Sequence, residues 1–230
     1  MWALDRTYDT SRRSFFDGTP WRVLAVLAVV VASAVIAAQS GYVRDTTLSR
    51  IAMWALHAGL ITTALGWAAA DDPVHPLRAL GLAVRPSRTA VAAAVGIGSG
   101  LAVHLLVTAS RTLGYPVVID SPSRMLAALP YDVLLNVPGA EAFFRGALFN
   151  RSQRRWSFTT ALIISTLASV LRYLIDPALP KIPEVLLGAI FYVGLIGVAN
   201  GWLVWWSGSL VPPLLVSVLF FTVYRALRME

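Results

Sequence analysis

The stretch Gly139-Ala140-Glu141-Ala142-Phe143-Phe144-Arg145-Gly146-Ala147-Leu148 sets one acid and one base inside an otherwise apolar segment, Tyr131–Phe149. Residues four apart lie on one face of a helix, so Glu141 and Arg145 can pair. Whether this is a core helix of a soluble domain or a membrane span depends on what surrounds it. A charge at bilayer depth costs about 2.5–3.5 kcal/mol or more, so it needs a partner and a reason. The plain reading of this pair is self-neutralisation that fixes helix packing.

Working outward, apolar runs of membrane length recur on both sides. They are Trp21–Ala38, Ile51–Ala70, Thr89–Ser110, Tyr131–Phe149, Ser157–Ile175, Pro183–Trp206 and Ser209–Ala226. A spanning helix needs about 20 mostly apolar residues. Every backbone polar group in hydrocarbon must be paired, which leaves helices as the open-chain solution. The expected fold is therefore all-α, a polytopic transmembrane bundle of about seven spans. It consists of an N-terminal tail over 1–20 and a single transmembrane domain over 21–230. The first run is expected to be an anchor and not a removable signal peptide.

The connections carry helix punctuation. Asp71-Asp72-Pro73 and Pro76 end the second run, and Ser87 after Arg85-Pro86 is an expected N-cap for the third. Gly114-Tyr115-Pro116 opens the longest expected loop, which runs to Pro130. Pro177 and Pro180 follow the fifth run, and Gly208 permits a tight turn before the last.

Composition agrees with a membrane solvent. Of 230 residues, 57% are hydrophobic and 13% charged, and the mean hydropathy is +0.68. The net charge is +7, carried by Arg with Lys181 as the single lysine. Basic loops beside apolar spans face anionic headgroups, so the charge does not imply nucleic acid. The Arg and Ala/Val bias is that of a GC-rich bacterial genome. With the N-terminus inside, that side holds Arg6, Arg12, Arg13, Arg22, Arg78, Arg85, Arg88, Arg151, Arg154 and Arg155. The other side holds Arg44, Arg50, Arg111, Arg124, Lys181, Arg225 and Arg228, a modest tilt toward a cytoplasmic N-terminus. Trp2, Trp21, Trp156, Trp205 and Trp206 fall near span ends, as interfacial anchors do. Trp205 and Trp206 are also candidates for a face that contacts a partner helix.

Cysteine is absent, which removes disulfides, thiolate nucleophiles and Cys-based metal sites. Arg172 lies in the fifth run with no acid nearby in sequence. Its options are Glu141 across the bundle, a backbone carbonyl, or the anionic group of a lipid or substrate. His57 and His104 are lone imidazoles on apolar runs, read as neutral hydrogen-bonded residues. A zinc site built from Glu141, His57 and His104 has suitable donor types but no motif spacing.

The stretch around Glu141 resembles the first motif of the CAAX-protease and bacteriocin-processing family, whose pattern is Glu-Glu-x-x-Phe-Arg-Gly. Glu141, Phe144, Arg145 and Gly146 match it, and Ala140 replaces the first glutamate. The family's second motif, Phe-x-x-x-His, aligns with Ser169 and Tyr173. Its third follows a Gly-Ser-Leu-x-x-Pro lead-in, kept here as Gly208-Ser209-Leu210-Val211-Pro212-Pro213. Ser217 then falls at the His position and Phe221 at the Asn position. The resemblance covers about 131–221, with a weaker echo at Leu80-Gly81-Leu82. It implies the fold of an intramembrane metalloprotease whose paired glutamates activate water and support the metal.

The departures fall on the chemistry. Metal-assisted hydrolysis needs ligands, an open coordination position and a base, and Glu141 alone supplies one of these. No Ser–His or Ser–Lys pair offers a serine mechanism. The expectation is a protein without catalytic residues, metal or cofactor, acting as an accessory or scaffolding subunit among membrane lipids and other integral subunits. Actinobacterial proteins resembling this family serve as accessory subunits of lipid importers of the mammalian-cell-entry (Mce) type, which makes such a complex the expected partner. The alternatives are an active intramembrane metalloprotease with a rearranged site, and a small transporter. The inverted repeats typical of a transporter are absent from the sequence.

Overall fold

The computed structural model describes residues 19–43, 46–82, 86–109, 117–119, 122–176, 179 and 183–229. The expected tail over 1–20 therefore lies almost wholly outside the described residues, with Trp2.

Among the described residues, seven long helices account for the seven apolar runs. They are α1 (Trp21–Val43), α2 (Thr46–Asp71), α4 (Pro86–Ala109), α5 (122–155), α6 (Phe158–Leu174), α7 (Pro183–Ser207) and α8 (Val211–Ala226). A single turn of helix, α3 (Pro76–Ala79), follows α2. Among the described residues, three segments are long and apolar enough to cross a bilayer unaided. They are Trp21–Gln39, Thr47–Asp71 and Leu186–Ser207, with mean hydropathies of 2.3, 1.3 and 1.8. Apolar stretches on α4, α6 and α8 are shorter. Outward faces carry exposed Val29, Val31 and Val35 on α1, Leu167 and Leu171 on α6, and Leu187 and Phe191 on α7. Apolar surface on this scale suits contact with lipid tails and not with water.

The bundle is all-α as expected, with one small addition among the described residues. Strands β1 (Val117–Ile119) and β2 (Leu227–Met229) pair antiparallel, with Val118 opposite Arg228. This ribbon ties the segment before α5 to the end of α8.

The largest departure concerns the stretch expected to be loop as far as Pro130. It is helical from Pro122, and α5 continues unbroken to Arg155. Pro122 opens the helix, where its missing N–H costs nothing. Pro130 and Pro138 lie inside, and the helix widens between them. Asp132–Asn136 is π-helical, with the Val137 N–H reaching back to the Asp132 carbonyl. This wide turn comes directly before Pro138, which has no N–H to donate and whose ring would crowd the Leu134 carbonyl in a regular helix. A second π-helical stretch, Ala142–Phe149, holds the Phe-Phe-Arg-Gly segment. Ser87 is a smaller correction: α4 begins at Pro86, so Ser87 lies inside the first turn and is not the cap.

Other punctuation reads as expected. α2 ends at Asp71, and the Asp72 carboxylate accepts from the N–H groups of Val74 and His75 at 3.2 and 2.9 Å. Ser157 caps α6 through the Thr160 N–H at 3.2 Å. Gly81 and Gly208 adopt φ of 85° and 66°, the left-handed region open to glycine. The Leu210 N–H donates to the Gly81 carbonyl at 2.9 Å, joining these two turns.

The core has two apolar clusters. One joins α1, α2 and α5 through Leu56, Leu60, Trp67, Phe143 and Phe149. The other joins α5 to α6, α7 and α8 through Val137, Val170, Ile196, Leu203 and Phe220. α5 belongs to both, so its polar residues stand at the centre of the bundle.

Candidate functional site

One face of α5 turns toward α6, α7 and α8 and brings its acid and base into a small cavity. Glu141 and Arg145 are buried, 6% and 1% exposed. Glu141 Oε1 accepts from Ser217 Oγ on α8 at 2.6 Å and from Asn200 Nδ2 on α7 at 2.9 Å. Asn200 Nδ2 also donates to Ser217 Oγ at 2.9 Å. The expected pair forms, with Arg145 Nε 4.0 Å from Glu141 Oε2. Arg145 Nη1 donates to the Ser165 carbonyl of α6 at 2.9 Å. Gly197 makes room for this guanidinium: a Cβ there would come within 3.0 Å of Nη2 and 2.7 Å of Thr166 Cγ2.

The cavity measures about 20 Å³, room for one or two waters. Ala140, Glu141, Arg145, Ser169, Arg172, Tyr173, Ser217 and Phe221 line it, with Val193, Ile196, Gly197 and Phe220. Tyr173 and Phe221 pack ring to ring at 5.8 Å. Seven of the motif positions singled out in the sequence, Ser169 among them, thus share one cavity. Phe144 and Gly146 stand apart from it. Phe144 packs edge-on against Phe143 at 5.1 Å, and Gly146 lies where a Cβ would meet Leu80 Cδ2 at 3.1 Å.

Arg172, read from sequence as lacking an acid, has neutral partners instead. Its Nη2 donates to His57 Nε2 on α2 and to Asn136 Oδ1 on α5, the latter at 2.8 Å. Asn136 Nδ2 donates in turn to Asp132 Oδ1 at 2.7 Å. An Nε2 that accepts leaves the proton on Nδ1, which donates to the Met53 carbonyl at 2.6 Å with Tyr131 Oη 3.0 Å away. Both nitrogens of His57 are thus engaged, and His57 does not line the cavity that holds Glu141. The His104 side chain lies outside the described residues.

Trp205 and Trp206 are remote from the cavity. They lie at the end of α7, 36% and 44% exposed, with Trp205 against Phe158 at 5.0 Å and Trp206 stacked on Trp202 at 5.5 Å. The neighbouring end of the bundle holds Asp71 between Arg151 and Arg154, at 2.9 and 3.0 Å. Arg151 also donates to Thr19 Oγ1 at 2.9 Å and covers the Trp67 ring at 5.3 Å.

A catalytic zinc takes about three protein ligands from His nitrogen, carboxylate or thiolate and keeps one position open. This cavity provides one carboxylate, and one of its oxygens already accepts two hydrogen bonds. The other positions hold a methyl, a hydroxyl, a phenol and a phenyl ring, at Ala140, Ser217, Tyr173 and Phe221. Among the described residues, no three His, Cys, Asp or Glu side chains gather closely enough to hold a metal. The donors present do not fit the zinc that the family resemblance implies.

Sequence reasoning passed over Asn200, Asn136 and Asp132. Each is a polar residue inside a span, and polar residues at bilayer depth are the signal that would have found them.

Neither a curated protein nor a solved structure matches the chain. Residues 122–222, from the start of α5 into α8, match the family described as type II CAAX prenyl endopeptidase Rce1-like. With three helices of membrane length among the described residues and a match to that family over 122–222, the chain is a multi-pass integral membrane protein similar to that family.

Proposed function

We propose that this chain is a non-catalytic, pseudoprotease-type membrane protein that serves as an accessory or scaffolding subunit of a larger membrane complex. The resemblance favours an Mce-type lipid importer as that complex and the bacterial plasma membrane as its location. The Arg151–Arg154–Arg155 cluster on the N-terminal side favours a cytoplasmic N-terminus.

One observation carries the reading. Ala140, Tyr173, Ser217 and Phe221 surround the single carboxylate of Glu141, and Ser217 and Asn200 hold that carboxylate by hydrogen bonds. A hydrolytic site needs a ligand set and a free base. Here the one candidate base ties α5 to α7 and α8, a structural duty. The cavity keeps the shape of a site without the groups that activate water.

The test is purification of tagged native protein in mild detergent, followed by mass spectrometry of what comes with it. Stoichiometric recovery of transporter subunits is expected, along with a melting temperature indifferent to chelators. A monomer carrying one zinc, cleaving a prenylated peptide and silenced by Glu141→Gln would overturn the proposal.

A further inference from the structure

Arg172 is a buried cation without a counter-ion among the described residues. It is 7% exposed, and both groups that accept from it, His57 Nε2 and Asn136 Oδ1, are neutral. Its Nε has no hydrogen-bond partner, and among the described residues no carboxylate lies within 4.0 Å of it. The acid nearest in the network, Asp132, connects to Arg172 only through Asn136. Arg145, across the same cavity, has Glu141 at 4.0 Å. An uncompensated charge in a low-dielectric interior is costly, and an anion is the group that relieves it.

We propose that the cavity beside Arg172 binds a carboxylate, borne either by a small free acid or by the head of a single-chain lipid. The inference rests on the non-catalytic reading of this cavity. A planar carboxylate matches a planar guanidinium, and the unpartnered Nε–H is a donor for it. The cavity, at about 20 Å³, suits two oxygens on one carbon and not a tetrahedral phosphate diester. Ser169 lies on the same wall, and Val193, Ile196 and Phe220 make the facing wall apolar, as the first methylenes of a chain require.

The test uses the full chain in detergent micelles with labelled oleate, and with methyl oleate, acetate and inorganic phosphate as competitors. Oleate should bind one per chain, and methyl oleate should compete about tenfold or more less well, because it lacks the charge. Competition by acetate assigns the site to a free carboxylate, and failure of acetate assigns it to a lipid head. Arg172→Lys should weaken oleate by about tenfold or more, since an ammonium loses the planar contact. Ser169→Leu narrows the cavity from α6 while keeping the guanidinium in the chain and should bring the same loss. Equal competition by oleate and its ester overturns the proposal, as does phosphate competing better than acetate. Wild-type oleate binding in both variants also overturns it. If either variant misfolds, the acid-against-ester comparison in the wild-type chain decides alone. Loss of oleate binding with partner subunits still recovered sinks this inference and leaves the accessory role standing. Zinc-dependent cleavage sinks the accessory role.

Discussion

Two carboxylate–guanidinium groupings on α5 use the same chemistry in opposite ways. At the end of the bundle, Asp71 is gripped by Arg151 and Arg154 at 2.9 and 3.0 Å. In the centre, Glu141 and Arg145 stay 4.0 Å apart with no hydrogen bond between them. Each is held by neutral groups on other helices, Ser217 and Asn200 for the acid and the Ser165 carbonyl for the base, while Glu141 Oε2 and Arg145 Nε have no hydrogen-bond partner. Near the rim, water reaches the half-exposed Arg154, so its contact with Asp71 costs little and gains little. In the centre, desolvation makes direct pairing no bargain, and the hydrogen bonds fix position. The rim grouping fastens α2 to α5. The central one fastens α5 to α6, α7 and α8.

That contrast breaks most visibly at Arg145. Arg145→Ala would leave Glu141 buried without its counter-charge and open a void against Gly197. Removing one partner of a buried pair costs about 3–5 kcal/mol. Unfolding in mixed micelles should register a loss of that size, and a loss below about 1 kcal/mol would show that the centre is no hub. Gly197→Ala tests the same point without removing charge. Its Cβ would press Thr166 Cγ2 at 2.7 Å and Arg145 Nη2 at 3.0 Å. Overpacking of this kind costs about 1–3 kcal/mol.

Ser217→Ala is gentler. It removes one donor to Glu141 and leaves Asn200 in place. Membrane hydrogen bonds average well under the value expected in hydrocarbon, so a loss of about 1–2 kcal/mol is expected. Asn200 donates to both Glu141 and Ser217, so Ser217→Ala and Asn200→Ala should not add. Strict additivity would show that the three side chains act separately.

The sequence announced the spans because apolar runs of bilayer length have few other homes, and it announced Glu141–Arg145 because four residues make one helical turn. It hid what depends on contacts across the chain. The partner of Arg172 is His57, 115 positions away, and no local pattern links them. Asn200 sits between Ala199 and Gly201 in an apolar run, where nothing nearby marks it as a donor to Glu141. Proline misled for a different reason. The stretch from Gly114-Tyr115-Pro116 to Pro130 reads as a loop, yet Pro122 begins a helix and Pro130 lies inside it. The meeting of Ala140, Tyr173, Ser217 and Phe221 in one cavity follows from three helices converging on α5, which the motif spacing implied only through resemblance.

Arg154→Ala should have the smallest effect. Its side chain is 48% exposed, and its bond to Asp71 Oδ2 at 3.0 Å competes with water. An exposed pair is worth about 0–1 kcal/mol. Arg151, 8% exposed, keeps Asp71 Oδ1 at 2.9 Å and remains seated over Trp67, so α2 stays fastened when Arg154 is lost. High salt should erase the small effect of Arg154→Ala and leave that of Arg145→Ala nearly intact, because ions reach the rim and not the centre. Stability of both variants measured at low and high salt checks this. Equal salt sensitivity in the two would mean that water reaches Glu141, and the distinction between rim and centre would fail.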